Sequence, residues 1–153
     1  MDILVRGATK EDLPSIMRLM GVLNQTEPMA ATNPLCEAIF DEIAASRGGR
    51  LLVATADHGV VMGTAYAIVA PNLSHGCRRF MVIENVVVAP EWRRVGVGRA
   101  LIDACLGIAR DSACYKAQLL SGLDRGAAHE MYERCGFSWT ARGYRLYFAD
   151  EEG

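Results

Sequence analysis

Leu13, Ile16, Met17 and Met20 recur at three- and four-residue intervals, the spacing of one buried helix face. This predicts a helix over Thr9–Asn24, with an irregular first turn imposed by Pro14. A short strand, Ile3-Leu4-Val5, precedes it. The polar stretch Gln25–Thr32 reads as a loop. Asn33-Pro34 then supplies a cap and a first-turn proline, and Leu35, Ala38, Ile39 and Ile43 form the apolar face of a second helix that Gly48-Gly49 stops. Leu51–Thr55 and Val60–Val69 flank Asp57-His58-Gly59, the pattern of a hairpin.

After a polar loop, Pro71–Arg79, the chain enters Phe80–Ala89, rich in Val and Ile and hence a buried strand. Arg99–Arg110 returns to helical spacing through Leu101, Ile102, Cys105, Ile108 and Ala109. Tyr115–Ser121 reads as strand, Ala127–Arg134 as a helix ended by Gly136, and Tyr144–Phe148 as a last strand. The predicted order is β-α-α-β-β-β-α-β-α-β, an α/β sandwich in which helices flank one mixed sheet. No repeat, linker or low-complexity tract interrupts it, so residues 1–153 are expected to form a single domain.

Composition narrows the class. Of 153 residues, 51% are apolar and 22% charged, with 16 Lys+Arg against 18 Asp+Glu. A chain of this size and make-up can bury about two-thirds of its unfolded surface without a staple. The near-neutral balance argues against a partner such as bulk nucleic acid. No apolar run approaches the ~20 residues of a membrane span, and Met1–Arg6 lacks the apolar core of a signal peptide. The five cysteines form no CxxC pair and the three histidines no ligand spacing. Free thiols, a cytoplasmic location and no metal are therefore expected.

The chemistry concentrates in Val86-Val87-Val88-Ala89-Pro90-Glu91-Trp92-Arg93-Arg94-Val95-Gly96-Val97-Gly98-Arg99-Ala100. A buried strand runs through a turn into a helix. Gly96 and Gly98 let backbone approach a ligand closely. The first helical amides lack intrahelical partners and, with the helix dipole, favour an anion. Arg93, Arg94 and Arg99 add guanidinium donors suited to phosphate. These residues read as a pyrophosphate cradle. Other phosphate motifs fit poorly. There is no GxxxxGK[ST], position 101 is Leu where a third dinucleotide-fold glycine belongs, and no acidic ribose partner follows about 20 residues on.

Arg93-x-x-Gly96-x-Gly98 after a Val-rich strand resembles the acyl-CoA signature of the GNAT superfamily of N-acetyltransferases. The segment from Ala128 to Phe137 is similar to that superfamily's A-x-x-F-Y-x-x-x-G-F helix and turn, and the predicted element order matches a GNAT-like fold along the whole chain. Ile83–Val88, Cys114–Lys116 and the Tyr132 segment look most like glucosamine-6-phosphate N-acetyltransferases and related bacterial small-amine acetyltransferases. The resemblance implies acetyl-CoA as acyl donor. Its pantetheine arm would run along the backbone of Val86, Val87 and Val88, and its pyrophosphate would lie on amides from Val95 through Ala100. Tyr132 would face the thioester sulfur. Where the family often has Asn seven residues before that tyrosine, this chain has Arg125, which would reach the cofactor's phosphates or adenosine, or solvent.

An amine with a pKa of ~10.4 is neutral in only about one molecule per thousand at pH 7, so transfer requires a proton acceptor. Glu84, a carboxylate in an apolar strand, is the candidate; the alternative is an ion pair with Arg78 or Arg79. Strict alternation puts Glu84 on the face of Val86 and Val88, and Asn85 on the other, bonded to neighbouring backbone. Tyr132 is the candidate donor to the departing thiolate. Cys114 and Cys135 lack a neighbouring His or helix N-terminus to activate them, which favours direct attack in a ternary complex over a cysteine acyl-enzyme. Acceptor contacts are expected from Gln25–Thr32, from the C-terminal strand and from Pro71–Arg79, where His75, Arg78 and Arg79 form either an anion-binding group or a solvated cluster. Tyr66 and Trp92 read as packing residues and His129 as exposed.

The expectation is an acetyl-CoA-dependent N-acetyltransferase acting on a primary amine of a small metabolite, anionic or neutral, with a homodimer compatible with the sequence. A peptide-modifying member of the superfamily and a non-catalytic acyl-CoA-binding module are the alternatives.

Overall fold

The computed structural model describes residues 1–148. The chain divides into two compact units, Met1–Leu119 and Leu120–Gly153.

The first unit is built on a five-stranded sheet in the order β1-β2-β3-β4-β5. Strands β1 (Leu4–Gly7), β2 (Gly49–Thr55), β3 (Val61–Ala70) and β4 (Phe80–Val88) pair antiparallel, and β5 (Lys116–Leu119) joins β4 in parallel. A parallel neighbour needs a crossover, and helix α4 (Val97–Asp111) provides it.

Helix α1 (Leu13–Asn24) follows a 3-10 turn at Lys10–Asp12. Arg6 donates two hydrogen bonds to the Asp12 carboxylate, at 2.7 and 3.0 Å, and the Thr9 amide donates a third at 2.8 Å. The Arg6 hydrogen bonds, aided by the Thr9 amide, hold this buried carboxyl below the usual range. Helix α2 (Pro34–Ala45) begins as its sequence implies, the Asn33 side chain accepting from the Leu35 amide at 2.9 Å. The Pro71–Arg79 connection contains a short turn-like element, α3 (Ser74–Cys77), with positive φ at His75, Gly76 and Cys77.

Helix α4 buries Val97, Leu101, Ile102, Cys105 and Ala109 along one stripe. Burying each of the larger side chains contributes about 1.5–3 kcal/mol. The helix sits so close to β3 that a Cβ on Gly63 would lie 2.8 Å from the Val87 carbonyl and 3.2 Å from Leu101 and Val97 side-chain carbons. That contact fixes where the N-terminus of α4 falls beside β4. On the opposite face, Leu19 of α1 packs with Val87 and Ala89, and Met20, Leu23, Val61 and Trp92 close around them. Trp92 is therefore a packing residue, as expected.

The second unit contains helix α5 (Gly126–Arg134). Gly136 takes φ 98° and ends it, the Phe137 amide returning to the Tyr132 carbonyl at 3.1 Å. The strand expected at Tyr144–Phe148 is not formed among the described residues. Its alternating Tyr144, Leu146 and Phe148 are 85%, 79% and 80% exposed. Alternation satisfies only the side-chain half of a strand; the ladder also needs a backbone partner. No helix among the described residues is long and apolar enough to cross a membrane.

Candidate active site

The centre of the site is an irregularity in β4. The register pairs Glu84 with Tyr66 and Val87 with Thr64, so Asn85 and Val86 together face the single residue Ala65. This is a β-bulge, with Asn85 at φ 53°. Asn is one of the few side chains that tolerates this left-handed region.

The bulge corrects the simple alternation. Cross-strand partners share a face, so Glu84 and Val87 lie together on the side of Tyr66 and Thr64, while Val88, opposite Gly63, lies on the α4 side. Asn85 lines a cavity on the α1–α2 side instead of bonding to backbone. Tyr66 lines the same cavity, so it is more than a packing residue.

The other edge of β4 is also informative. It pairs with β5 only from Phe80 to Ile83. Among the described residues no strand pairs with 84–88 on that side. The segment holding Val86, Val87 and Val88 therefore presents unladdered backbone along one edge before entering the turn.

Glu84 itself is exposed. Among the described residues no ion pair or hydrogen bond engages its carboxylate. The structural alternative is absent, because Arg78 donates instead to the Cys114 carbonyl at 3.3 Å. Because the side chain is exposed, the burial cost implied by its apolar neighbours in sequence does not arise.

The turn after β4 carries the second feature. Pro90–Trp92 forms a 3-10 turn, and the Arg93 side chain donates to the Val88 carbonyl at 3.3 Å. Arg94 and Gly96 both take positive φ, 64° and 98°, and Gly96 caps α4 in the left-handed conformation. Among the described residues, no backbone carbonyl accepts from the amides of 94–99. The Ala100 amide, expected to join them, is committed to the Gly96 carbonyl at 3.0 Å. The free donors thus belong to Arg94, Val95, Gly96, Val97, Gly98 and Arg99, at the positive end of a 15-residue helix. Arg93 and Arg94 are exposed around them, and Arg99 leans toward Asp103 at 3.6 Å. This donor set suits a diphosphate: a row of uncommitted amides, a helix terminus and exposed guanidiniums, with backbone that no Cβ at Gly96 covers.

In the second unit Tyr132 is half-buried on α5, its ring 6.1 Å from Phe137 in an edge-on arrangement. Burial raises its phenol above the ordinary value, and the Arg125 charge opposes that rise. Arg125 is exposed at the start of α5. His129 is half-buried, not exposed, with a ring nitrogen 2.8 Å from the Gly122 carbonyl.

The thiols are poorly placed for covalent chemistry. Burial raises the Cys114 thiol and pushes that of Cys105 to about 12, and a protonated thiol is a weak nucleophile.

These features agree with comparisons to known proteins. Residues 17–137 match the acetyltransferase (GNAT) family model. The chain is 28% identical over 149 residues to a glucosamine 6-phosphate N-acetyltransferase of Trypanosoma brucei brucei, covering 95% of this chain and 96% of the relative. It is 32% identical over 114 residues to an aminoglycoside N(6')-acetyltransferase type 1 of Stenotrophomonas maltophilia, covering 73% of each. A solved chain from Agrobacterium tumefaciens strain C58 superposes with a TM-score of 0.88 at 33% identity, covering 95% of this chain and 99% of that one. The chain belongs to the GNAT acetyltransferase family. It is an acetyl-CoA-dependent N-acetyltransferase, and the amine it acetylates is the question its own residues must answer.

Proposed function

We propose that this enzyme transfers the acetyl group of acetyl-CoA to the primary amine of a small metabolite by direct attack in a ternary complex. The observation that carries the reading is the continuity of two unsatisfied backbone segments. The open β4 edge at 84–88 leads into the free amides of 94–99. An extended amide-bearing arm followed by a diphosphate matches that order of donors and acceptors.

In this reading the backbone of Val86, Val87 and Val88 aligns the donor, the amides of Val95 to Arg99 hold its diphosphate, and Arg93 and Arg94 neutralise its charge. Glu84 accepts the proton of the attacking ammonium, directly or through water; its carboxylate is exposed and held by no ion pair or hydrogen bond among the described residues. Tyr132 takes its role from its position in the family-like motif. A thiol pKa of ~8.5 against a phenol pKa of ~10 makes full proton transfer uphill by about 2 kcal/mol, and burial of Tyr132 steepens that slope. The phenol therefore acts as a hydrogen-bond donor to the sulfur and gives up its proton late. Arg125 contributes positive charge toward the same cofactor. An apolar pocket of about 290 Å³ beside Asn85, described below, suits a small acceptor.

The test is thiol release from acetyl-CoA against a panel of amines. Glu84→Gln is expected to lower kcat by about 10²–10⁴, and Tyr132→Phe by less, with the dissociation constant for coenzyme A nearly unchanged in both. Because the Tyr132 phenol is raised, its donor form persists through neutral pH. The alkaline limb of kcat should lie above the ordinary tyrosine range and disappear in Tyr132→Phe. Full turnover in both variants would overturn the assignments. Binding of coenzyme A without turnover on any amine would identify a non-catalytic acyl-CoA module instead.

A further inference from the structure

A pocket of about 290 Å³, open to solvent, lies between α1, α2 and the sheet, and the exposed Asn85 on the β4 bulge, the residue adjoining Glu84, is one of its lining residues. Its walls are apolar: Met17 and Met20 from α1, Ile39 and Phe40 from α2, with Met29 from the intervening loop. No charged side chain lines it. The polar groups on its inner side are the Asn85 amide and the Tyr66 hydroxyl, with Thr64 already donating to the Leu52 carbonyl at 2.7 Å.

From this we infer that the acceptor is an amine carried on an uncharged, apolar body of roughly one aromatic ring and a short chain, not a sugar phosphate or a polycationic sugar. The inference rests on the acetyltransferase reading above and deepens it. Three observations carry it.

The first is position. An attacking nitrogen must reach the acyl group beside 84–88, and this cavity opens on that stretch of β4. A larger open depression of about 600 Å³, lined by Ala44, Arg47 and Arg50 among others, reaches neither Asn85 nor the Gly96 turn.

The second is charge. His75, Arg78 and Arg79, the basic residues that could hold an anionic acceptor, sit before Phe80 at the start of β4. Glu84 is four residues further on, about 13 Å along a strand at ~3.3 Å per residue. The side chains of two of them are also occupied. His75 stacks on Tyr115 with ring centroids 3.9 Å apart, and Arg78 binds the Cys114 carbonyl. None of the three lines the cavity. A phosphate or a second ammonium drawn into these walls would lose its hydration without gaining a partner.

The third is size and chemistry together. An apolar cavity of ~150 Å³ accommodates benzene, so 290 Å³ takes a ring and two or three further carbons. Methionine walls adapt to the outline of such a body. Apolar surroundings also disfavour the ammonium form, which enlarges the small neutral fraction that can attack.

The experiment uses the full chain with acetyl-CoA, following thiol release with 2-phenylethylamine, hexylamine, glucosamine 6-phosphate, an aminoglycoside and a lysine peptide. The expected result is a kcat/KM for the apolar amines at least a hundredfold above that for the charged sugars. Equal or better turnover of glucosamine 6-phosphate, the aminoglycoside or the peptide would overturn the inference and leave the acetyltransferase reading intact. Absence of thiol release with every amine would remove that reading itself. Ile39 is 47% exposed at the cavity's mouth, so Ile39→Gln should fold normally. It should raise KM for 2-phenylethylamine about tenfold, with KM for acetyl-CoA and the unfolding temperature unchanged. An unaltered amine KM, or an equal rise in both, would also overturn the inference.

Discussion

Two groups of positive charge occupy opposite ends of β4. Arg93, Arg94 and Arg99 follow its last residue, Val88; His75, Arg78 and Arg79 precede its first, Phe80. In the sequence each is a loop with basic side chains and glycine, the first read as a pyrophosphate cradle and the second left open between an anion-binding group and a solvated cluster. The structure separates them. Around Gly96 the backbone amides are uncommitted and a long helix begins. Around His75 the side chains are spent on Tyr115 and on the Cys114 carbonyl, and the backbone turns through positive φ into a strand. Charge marks a place where an anion could go; unpaired main-chain donors make it a place where an anion is held.

The sharpest way to break this comparison is to disturb the backbone without touching the charge. A Cβ at Gly96 would meet nothing closer than Ile3 Cδ1 at 3.8 Å, so the site has room for one. The obstacle is φ 98°, which a β-branched residue adopts only at a cost of about 1–2 kcal/mol. Gly96→Val is therefore expected to weaken coenzyme A binding about 5–30-fold by calorimetry, at 1.4 kcal/mol per tenfold. Binding as tight as in the parent would mean the amides are not the holding groups.

Removing charge while keeping the backbone should do less. Arg93→Ala with Arg94→Ala is expected to weaken coenzyme A about tenfold at low salt, and to shrink the difference between low and high salt because exposed charges are screened. An unchanged salt dependence would show that these guanidiniums face solvent only.

The smallest effect belongs to the other end. Arg78→Ala with Arg79→Ala should leave KM for acetyl-CoA and for the preferred amine within about twofold, since surface charges away from a site contribute little. A large rise in amine KM would move the acceptor toward the start of β4 and restore an anionic substrate.

Much of this molecule is legible along the chain. The helix spacing of Leu13 to Met20, the Asn33-Pro34 start and the Val-rich β4 are local patterns, and local patterns predict local structure. The Gly96 turn is legible for the same reason, since glycine, arginine and a helix start are all encoded within eight residues. The bulge is harder to see. An Asn inside Phe80–Val88 is a hint, but the offset arises because β3 and β4 are joined across a long connection whose register decides which residues face each other. The unformed strand at Tyr144–Phe148 fails on the same count, because alternation cannot say whether a partner edge is there.

The amino-acid order by itself determined most of the elements, the family and the position of the Gly96 turn, because each depends on residues close together in the chain. Only the tertiary structure decided where Glu84 and Asn85 face, which basic group is spent, and that the space beside the reactive strand is apolar. Those outcomes depend on residues as far apart as Met17 and Asn85, brought together by the packing of α1 and α2 on the sheet. A cavity is the space that several elements leave between them, so no one of their sequences describes it.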